Sequence, residues 1–372
     1  MRNGEASNAL SRRIAGAVRM LAVGLSACSA LAAAQGAQAA ERCVFSDSHF
    51  HLTNYIQEGP TAGQALKVMG DKLCRSTLFG IPLQQQWAYH ISGDIAPAYY
   101  LESDAPLYYY SFTDAAIAAA YNALPPADRA RFDPMITGFN PADMYAADHV
   151  RRVLTTYPGV FSGIGEFSIH KEFVSPKIAG GPAGLTDPAL ARLLDFSGEV
   201  GLVAILHNDL VMPFTKDDKV RPYFEQLRAL LARHPRTTII WAHMGLGRIV
   251  TPVKSHAALI EEMINDPALK HVYFDISWDE VAKYVVASEE ATQITADLIN
   301  RHPDRFLFGS DVVAPTTTEK YMSVYEMYQP LWAKLTPTAR EKILKGNYAR
   351  IFDTARVRVR AWEKANVGAA AR

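Results

Sequence analysis

The chain has 372 residues, is 49% hydrophobic and 20% charged, and balances 38 Lys and Arg against 38 Asp and Glu. That is the composition of an ordinary globular protein with ample material for a packed core. A formal net charge of zero offers no basic surface for nucleic acid or an anionic membrane, and no repeat of solenoid or propeller period is visible.

Arg2, Arg12 and Arg13 precede an apolar stretch over 20–34 and the small-residue site Ala37-Gln38-Ala39, the pattern of an export signal. On that reading residues 1–39 are a signal peptide, residues 40–372 form a single domain, and the protein is periplasmic or secreted. Leu25-Ser26-Ala27-Cys28 also fits a bacterial lipobox, which would make a lipoprotein anchored at Cys28, and Ser11-Arg12-Arg13 is a weak twin-arginine match. Ordinary cleavage is preferred because the apolar run continues past Cys28 into the A-x-A site. No later apolar run is long enough to span a bilayer. Cys43 and Cys74 then remain, a disulfide candidate in an oxidising compartment, with two buried thiols as the alternative.

From Val44 onward, apolar strand-like runs alternate with amphipathic helical segments, which predicts an α/β fold with a parallel sheet. The first strand ends at His49 and a helix over 61–74 returns to a second strand over 76–81. The connection 82–111 is too long for a plain loop in a compact domain. Its aromatic residues Trp87, Tyr89, Tyr99, Tyr100, Tyr108, Tyr109 and Tyr110 either wall a pocket or pack on one another and on neighbouring helices.

Strands three to five fall at 134–139, 160–166 and 202–207. Strands six to eight fall at 238–243, 272–276 and 305–311. A helical segment follows each, and the last helices, over 338–364, are expected on the barrel exterior. Eight such units make a (β/α)8 TIM barrel, whose functional site lies where the C-terminal ends of the strands meet.

The residues at those ends are chemically active ones. His49 and His51 stand two apart, so on an extended segment both rings point the same way, as a metal requires. Glu166, His207, His243 and Asp311 end the fourth, fifth, sixth and eighth runs. Each alone reads equally as a packed polar residue. Asp275, near the seventh strand end, lacks an evident ligand partner and is read as a packing residue or as a support behind the ligands.

The order of these groups resembles the amidohydrolase superfamily of metal-dependent barrel hydrolases, in the branch that contains aminocarboxymuconate semialdehyde decarboxylase. The matching stretches are Asp47-Ser48-His49-Phe50-His51, Gly163-Ile164-Gly165-Glu166, Ala242-His243-Met244-Gly245, Phe308-Gly309-Ser310-Asp311 and Gly346-Asn347-Tyr348-Ala349-Arg350-Ile351-Phe352. The resemblance implies that His49, His51, His207 and Asp311 hold a metal and that His243 is a catalytic group beside it. Glu166 is a further metal ligand, bridging two ions in related nucleases. One metal is slightly favoured over two.

Three imidazoles and a carboxylate suit Zn2+, with Mn2+ as another divalent choice, and Zn2+ lowers the pKa of a bound water to about 7. Asp311 would take the water proton and His243 would polarise the substrate carbonyl. Trp87, Tyr89 and Arg248 are candidate substrate-binding residues, with His170 and Lys171 as further candidate partners for a substrate carboxylate. G-x-S-x-G, H-E-x-x-H and phosphate-binding glycine loops are missing.

The expected activity is hydrolysis of an amide, ester or lactone of a small molecule. Decarboxylation of an unsaturated or aromatic acid, and a non-catalytic solute- or metal-binding barrel, are the alternatives. Neither a nucleic acid nor a membrane partner is expected, and the oligomeric state is left open.

Overall fold

The computed structural model describes residues 43–216 and 222–367. The leader, its cleavage site near Ala40 and the alternative anchor at Cys28 lie outside the described residues.

Eight strands form one sheet in chain order: β1 (Phe45–Asp47), β2 (Leu73–Leu78), β3 (Phe132–Ile136), β4 (Gly163–Ser168), β5 (Val203–His207), β6 (Thr238–Trp241), β7 (Val272–Asp275) and β8 (Phe306–Leu307). Every neighbouring pair is parallel. The sheet closes where β8 meets β1: Ser48 N donates to Phe308 O, Asp311 N donates to His49 O, and Val312–Val313 pairs in parallel with Phe50–His51. This is the expected TIM barrel. Runs such as Val203-Ala204-Ile205-Leu206 are buried throughout, as strands between a packed barrel interior and a coat of helices must be.

The first helix spans Ala62–Met69, opened by a capping box between Thr61 and Gln64 and stopped by Gly70 at φ 51°. It ends earlier than the sequence suggests, so Cys74 stands inside β2 rather than at the helix terminus. Both Cys43 and Cys74 are disulfide-bonded.

The connection 82–111 is not a loop but a small layer of its own. Leu83–Gln85 pairs antiparallel with Leu107–Tyr109, with a helical turn at Tyr89–Ser92 between them. Its core joins Tyr55, Ile81, Leu83, Tyr100, Leu107, Val174 and Ile178. Lys177 ties it down by donating to Tyr100 O at 2.6 Å and Ser103 O at 2.7 Å.

The C-terminal helix Asn347–Asn366 does not simply coat the outside. Its Tyr348, Ile351, Phe352 and Ala355 pack into the same core as Phe79, Met135, Val203, Ile205, Ile240 and Leu307, sealing the end of the barrel opposite the strand tips. Buried Asp133 fixes it there, taking bonds from Tyr348 Oη at 2.7 Å, Arg356 Nε at 2.5 Å and Arg75 Nη2 at 2.8 Å.

Candidate active site

The six residues singled out at the strand tips converge. His49, His51, Glu166, His207 and His243 are all buried, and the Asp311 side chain is 9% exposed. Their donor atoms fall into three overlapping groups, each within 4.8 Å: His49, His51 and Glu166; His49, His243 and Asp311; Glu166, His207 and His243. His51 Nε2 lies 3.1 Å from Asp311 Oδ1 and His49 Nε2 lies 3.4 Å from the same atom. Both are 3.7 Å from Glu166 Oε2. The other Glu166 oxygen faces His207 Nδ1 at 2.8 Å and His243 Nε2 at 3.6 Å.

Backbone geometry aims these groups. Glu166 projects from within β4 rather than from its tip, because that strand runs on to Ser168 alongside β5, with Ser168 level with His207. The expected strand 305–311 breaks after Leu307, since Gly309 passes so close to His49 that a Cβ there would sit 2.6 Å from the His49 Cβ. Asp311 then takes φ 52°, which turns its carboxylate to the cluster. His243 and Met244, at φ 59° and 52°, are also left-handed, an arrangement that costs non-glycine residues on the order of 1–3 kcal/mol each. Asp275 Oδ1 helps hold that turn by accepting His243 N–H at 2.9 Å.

Each imidazole sends one nitrogen inward and has the other held from behind. His49 Nδ1 meets Asp275 Oδ2 at 3.0 Å, His51 Nδ1 meets Gly80 O at 3.5 Å, His207 Nε2 meets Asp209 Oδ1 at 3.2 Å, and His243 Nδ1 meets Ser277 Oγ at 2.9 Å. An acceptor behind each ring is how metal-binding histidines are oriented and made basic. The inward Nε2 atoms of His49 and His243 are buried without a hydrogen-bond partner. Buried imidazole nitrogens are normally bonded, so this donor set fits a divalent cation.

The electrostatics agree. Burial pushes the Asp311 carboxyl up, but the surrounding His49, His51 and His243 outweigh it and hold Asp311 well below the usual carboxylate range. Burial likewise opposes ionisation of Glu166, and Lys171 with the three facing histidines His207, His243 and His49 overcomes it. His243 goes the other way: burial is the largest influence and lowers it, favouring the neutral ring that can accept or ligate.

Asp275, read as a packing residue or as a support behind the ligands, is the support: it bonds His49, the His243 backbone and Ser277 Oγ, the last at 2.5 Å. Other functional residues were not assigned from sequence. Asp209 backs His207, and the His207-Asn208-Asp209 spacing, the same period of two as His49 and His51, was a usable signal for it. Lys171 donates to Glu166 Oε1 at 3.1 Å and Oε2 at 3.2 Å instead of standing free for a substrate.

Trp87 and Tyr89 are 56% and 71% exposed, and Trp87 Nε1 donates to Gly93 O. Tyr100 packs in the core of that layer with Tyr99 against it, and the Tyr99 hydroxyl lies 3.5 Å from Arg248 Nη2. Arg248 lies over the Trp278 ring at 5.5 Å, and that ring is 5.1 Å from His243. His170 is stacked on Tyr223 at 3.8 Å.

A closed parallel barrel with a buried histidine–carboxylate cluster at its strand tips defines a class of metal-ion hydrolases and their relatives. The amidohydrolase family model matches residues 46–354, and the chain belongs to that family. Among solved structures, an amidohydrolase from Burkholderia multivorans with bound zinc shares 16% identity at a TM-score of 0.50, covering 83% of this chain and 99% of that one. A candidate 2-pyrone-4,6-dicarboxylic acid hydrolase from Pseudomonas putida shares 15% at 0.50, covering 84% and 98%. A dihydroorotase from Campylobacter jejuni shares 13% at 0.49, covering 83% of each chain. At these identities the likeness concerns the fold. No curated protein sequence matches the chain significantly. No helix among the described residues is long and apolar enough to cross a membrane.

Proposed function

We propose that the protein is a metal-dependent hydrolase acting on an amide, ester or lactone of a small molecule, and that it works as an exported enzyme. The observation that carries this reading is the set of four buried imidazoles, each backed by an acceptor and each offering a nitrogen to one of the overlapping groups around Glu166 and Asp311. The export-type leader and the disulfide-bonded state of Cys43 and Cys74 support the exported setting.

His49, His51 and Asp311, with Glu166, would hold the cation. A bound Zn2+ or Mn2+ would supply Lewis-acid polarisation and a water ionisable near neutral pH. Asp311, ionised and slightly accessible, is placed to take a proton from the attacking water and return it to the leaving group. His243, with Nδ1 turned to Ser277, keeps a neutral inward Nε2 whose lone pair can take up a proton beside the reacting bond. Asp275 and Asp209 keep their rings in register.

A single ion is preferred because Lys171 already balances the Glu166 charge, which leaves the carboxylate poorly suited to bridge two ions. A second ion has one observation in its favour, the facing of His207 and His243 on Glu166 Oε1. Decarboxylation at the same cluster stays the competing chemistry.

The deciding experiment is chelation and reconstitution with Zn2+ or Mn2+, assayed on a panel of esters, lactones, amides and aromatic acids for the cleaved acid product and for CO2. Metal-restored cleavage without CO2 supports the hydrolase; CO2 release replaces it with the decarboxylase. Turnover that survives full chelation removes the metal from the mechanism, and tight binding without any turnover favours a solute-binding protein.

A further inference from the structure

A second concavity lies outside the histidine cluster, behind the turn that carries His243. It encloses about 150 Å3 between that turn, the loop after it and the helices His256–Asn265, Asp279–Val285 and Glu289–Arg301. Met244, Leu246, Val253, Val285 and Ile294 make an apolar wall, and none of the six strand-tip residues takes part in it. Ile294 is 47% exposed, so the cavity opens to solvent on that side. An apolar cavity of this volume holds one benzene-sized ring.

The hydroxyls on the wall are already spent as donors. Tyr284 Oη is shared between Gly247 O at 3.1 Å and Arg248 O at 2.9 Å, and Thr295 Oγ1 donates to Ala291 O at 3.1 Å. His256, which also lines the cavity, is different. Its Nε2 lies 3.0 Å from Met244 O, and since a carbonyl only accepts, Nε2 carries the proton. Loss of hydration is the largest influence on the ring and lowers its pKa, with the Met244 bond opposing, which favours the neutral form. A neutral ring protonated at Nε2 presents a lone pair at Nδ1, and no residue among those described donates a hydrogen bond to it.

The bond from His256 also joins the cavity to the candidate active site. Met244 follows His243 in the left-handed turn, at φ 52° after 59°, and Leu246 N closes that turn by donating to His243 O at 3.0 Å. Met244 and Leu246 both line the cavity. A ring seated there fills the space beside them, and a donor on His256 Nδ1 makes Nε2–H the stronger donor to Met244 O.

We propose that this cavity binds a small phenol, its ring against Met244, Leu246 and Ile294 and its hydroxyl donating to His256 Nδ1, and that the bound phenol braces the turn that presents His243. The Met244 sulfur and the Tyr284 ring favour an aromatic occupant over an aliphatic one. A carboxylate, which only accepts, finds no donor at Nδ1. The site needs no metal and does not depend on the hydrolase reading.

Phenol and benzene are the probes, titrated into the full protein and followed by nuclear magnetic resonance through the Met244 methyl group in methyl-labelled protein. The signal is assigned as the one missing from Met244→Leu. Phenol should shift it at concentrations about three- to tenfold lower than benzene, the worth of one net hydrogen bond. Ala291→Leu, or Ala257→Leu should the first not fold, fills the cavity and should abolish both titrations while circular dichroism stays native. With phenol bound, the Leu246 amide should exchange its hydrogen several-fold more slowly. Equal binding of the two probes overturns the proposal, and so does phenol binding that the cavity-filling variant leaves untouched, which would place phenol at the histidine cluster. A Leu246 amide indifferent to bound phenol overturns the bracing of the turn.

Discussion

Lys171 Nζ spans both oxygens of Glu166, at 3.1 and 3.2 Å, inside the cluster that gathers the four imidazoles. A lysine there does electrostatically what a second metal ion would do, which is to balance a carboxylate facing His207 and His243. Burial alone would neutralise Lys171, and the Glu166 charge keeps it protonated well above its ordinary range.

Lys171→Met therefore leaves Glu166 buried and unpaired. In the metal-free protein the expected loss of stability is about 3–5 kcal/mol, the cost of breaking a buried pair from one side. Zinc should restore much of it. Elemental analysis should find a single ion per wild-type chain and a second one in the variant, whose Glu166, freed of Lys171, has the charge to bridge two ions. Two ions in the wild type would end the one-metal assignment.

Asp275 acts through the rings it holds. Asp275→Asn keeps the shape but turns one acceptor oxygen into a donor beside His49 Nδ1, at a position where the ring must donate if Nε2 is to ligate. Metal affinity should fall about 10- to 100-fold, as for other residues that back metal-binding histidines. Competition with a chromogenic chelator measures it. Unchanged affinity together with unchanged stability would remove Asp275 from the site.

How much of this was legible in the chain depends on the kind of signal. The barrel announces itself through apolar runs such as Thr238-Ile239-Ile240-Trp241, each ending near a His, Glu or Asp, because burial between core and helices demands a continuous apolar strand. The six site residues followed from that pattern. Of the residues behind them only Asp275 was noted, without a partner, since it and Ser277 gain His49 and His243 only when β7 closes beside β6 and the cluster forms, across more than 200 residues in the case of His49. The aromatics of 82–111 were listed together, because aromatic content does not say which way each ring faces. The breaks at Gly309 and after Trp241 are tertiary as well, set by the approach to His49 and the turn that Asp275 holds.

The two groups assigned to chemistry should separate in their variants. Asp311→Asn removes a charged ligand and the proton acceptor together, so activity should fall by at least about 100-fold with loss of metal affinity. His243→Ala should lower kcat by a comparable factor while most of the metal stays bound, because His49, His51 and Asp311 remain. Side-by-side metal analysis and kinetics decide it. A His243→Ala protein that loses its metal in step with its activity makes His243 a ligand rather than a group acting on substrate.

The last prediction concerns Asp47, buried beneath the first metal-binding loop. Its Oδ1 accepts His49 N–H at 3.0 Å and Ser310 N–H at 2.8 Å, and Oδ2 meets Ser310 Oγ at 2.5 Å. Burial is the dominant influence and lifts its pKa from 3.8 to about 6, with the Ser310 and His49 bonds opposing. A carboxyl whose folded pKa lies above its unfolded value binds its proton more tightly when folded. Its favourable contribution is fully present below about pH 4 and is lost as pH rises through about 6, amounting to roughly 3 kcal/mol across that window. Asp47→Asn imitates the protonated form, keeping an acceptor for the two backbone N–H groups and offering a donor to Ser310 Oγ. Urea unfolding of both proteins between pH 4 and 8 isolates the effect. The variant should be close to wild type near pH 4 and the more stable of the two above pH 6.5, whereas a stability difference that does not change with pH would mean that Asp47 does not titrate in this range.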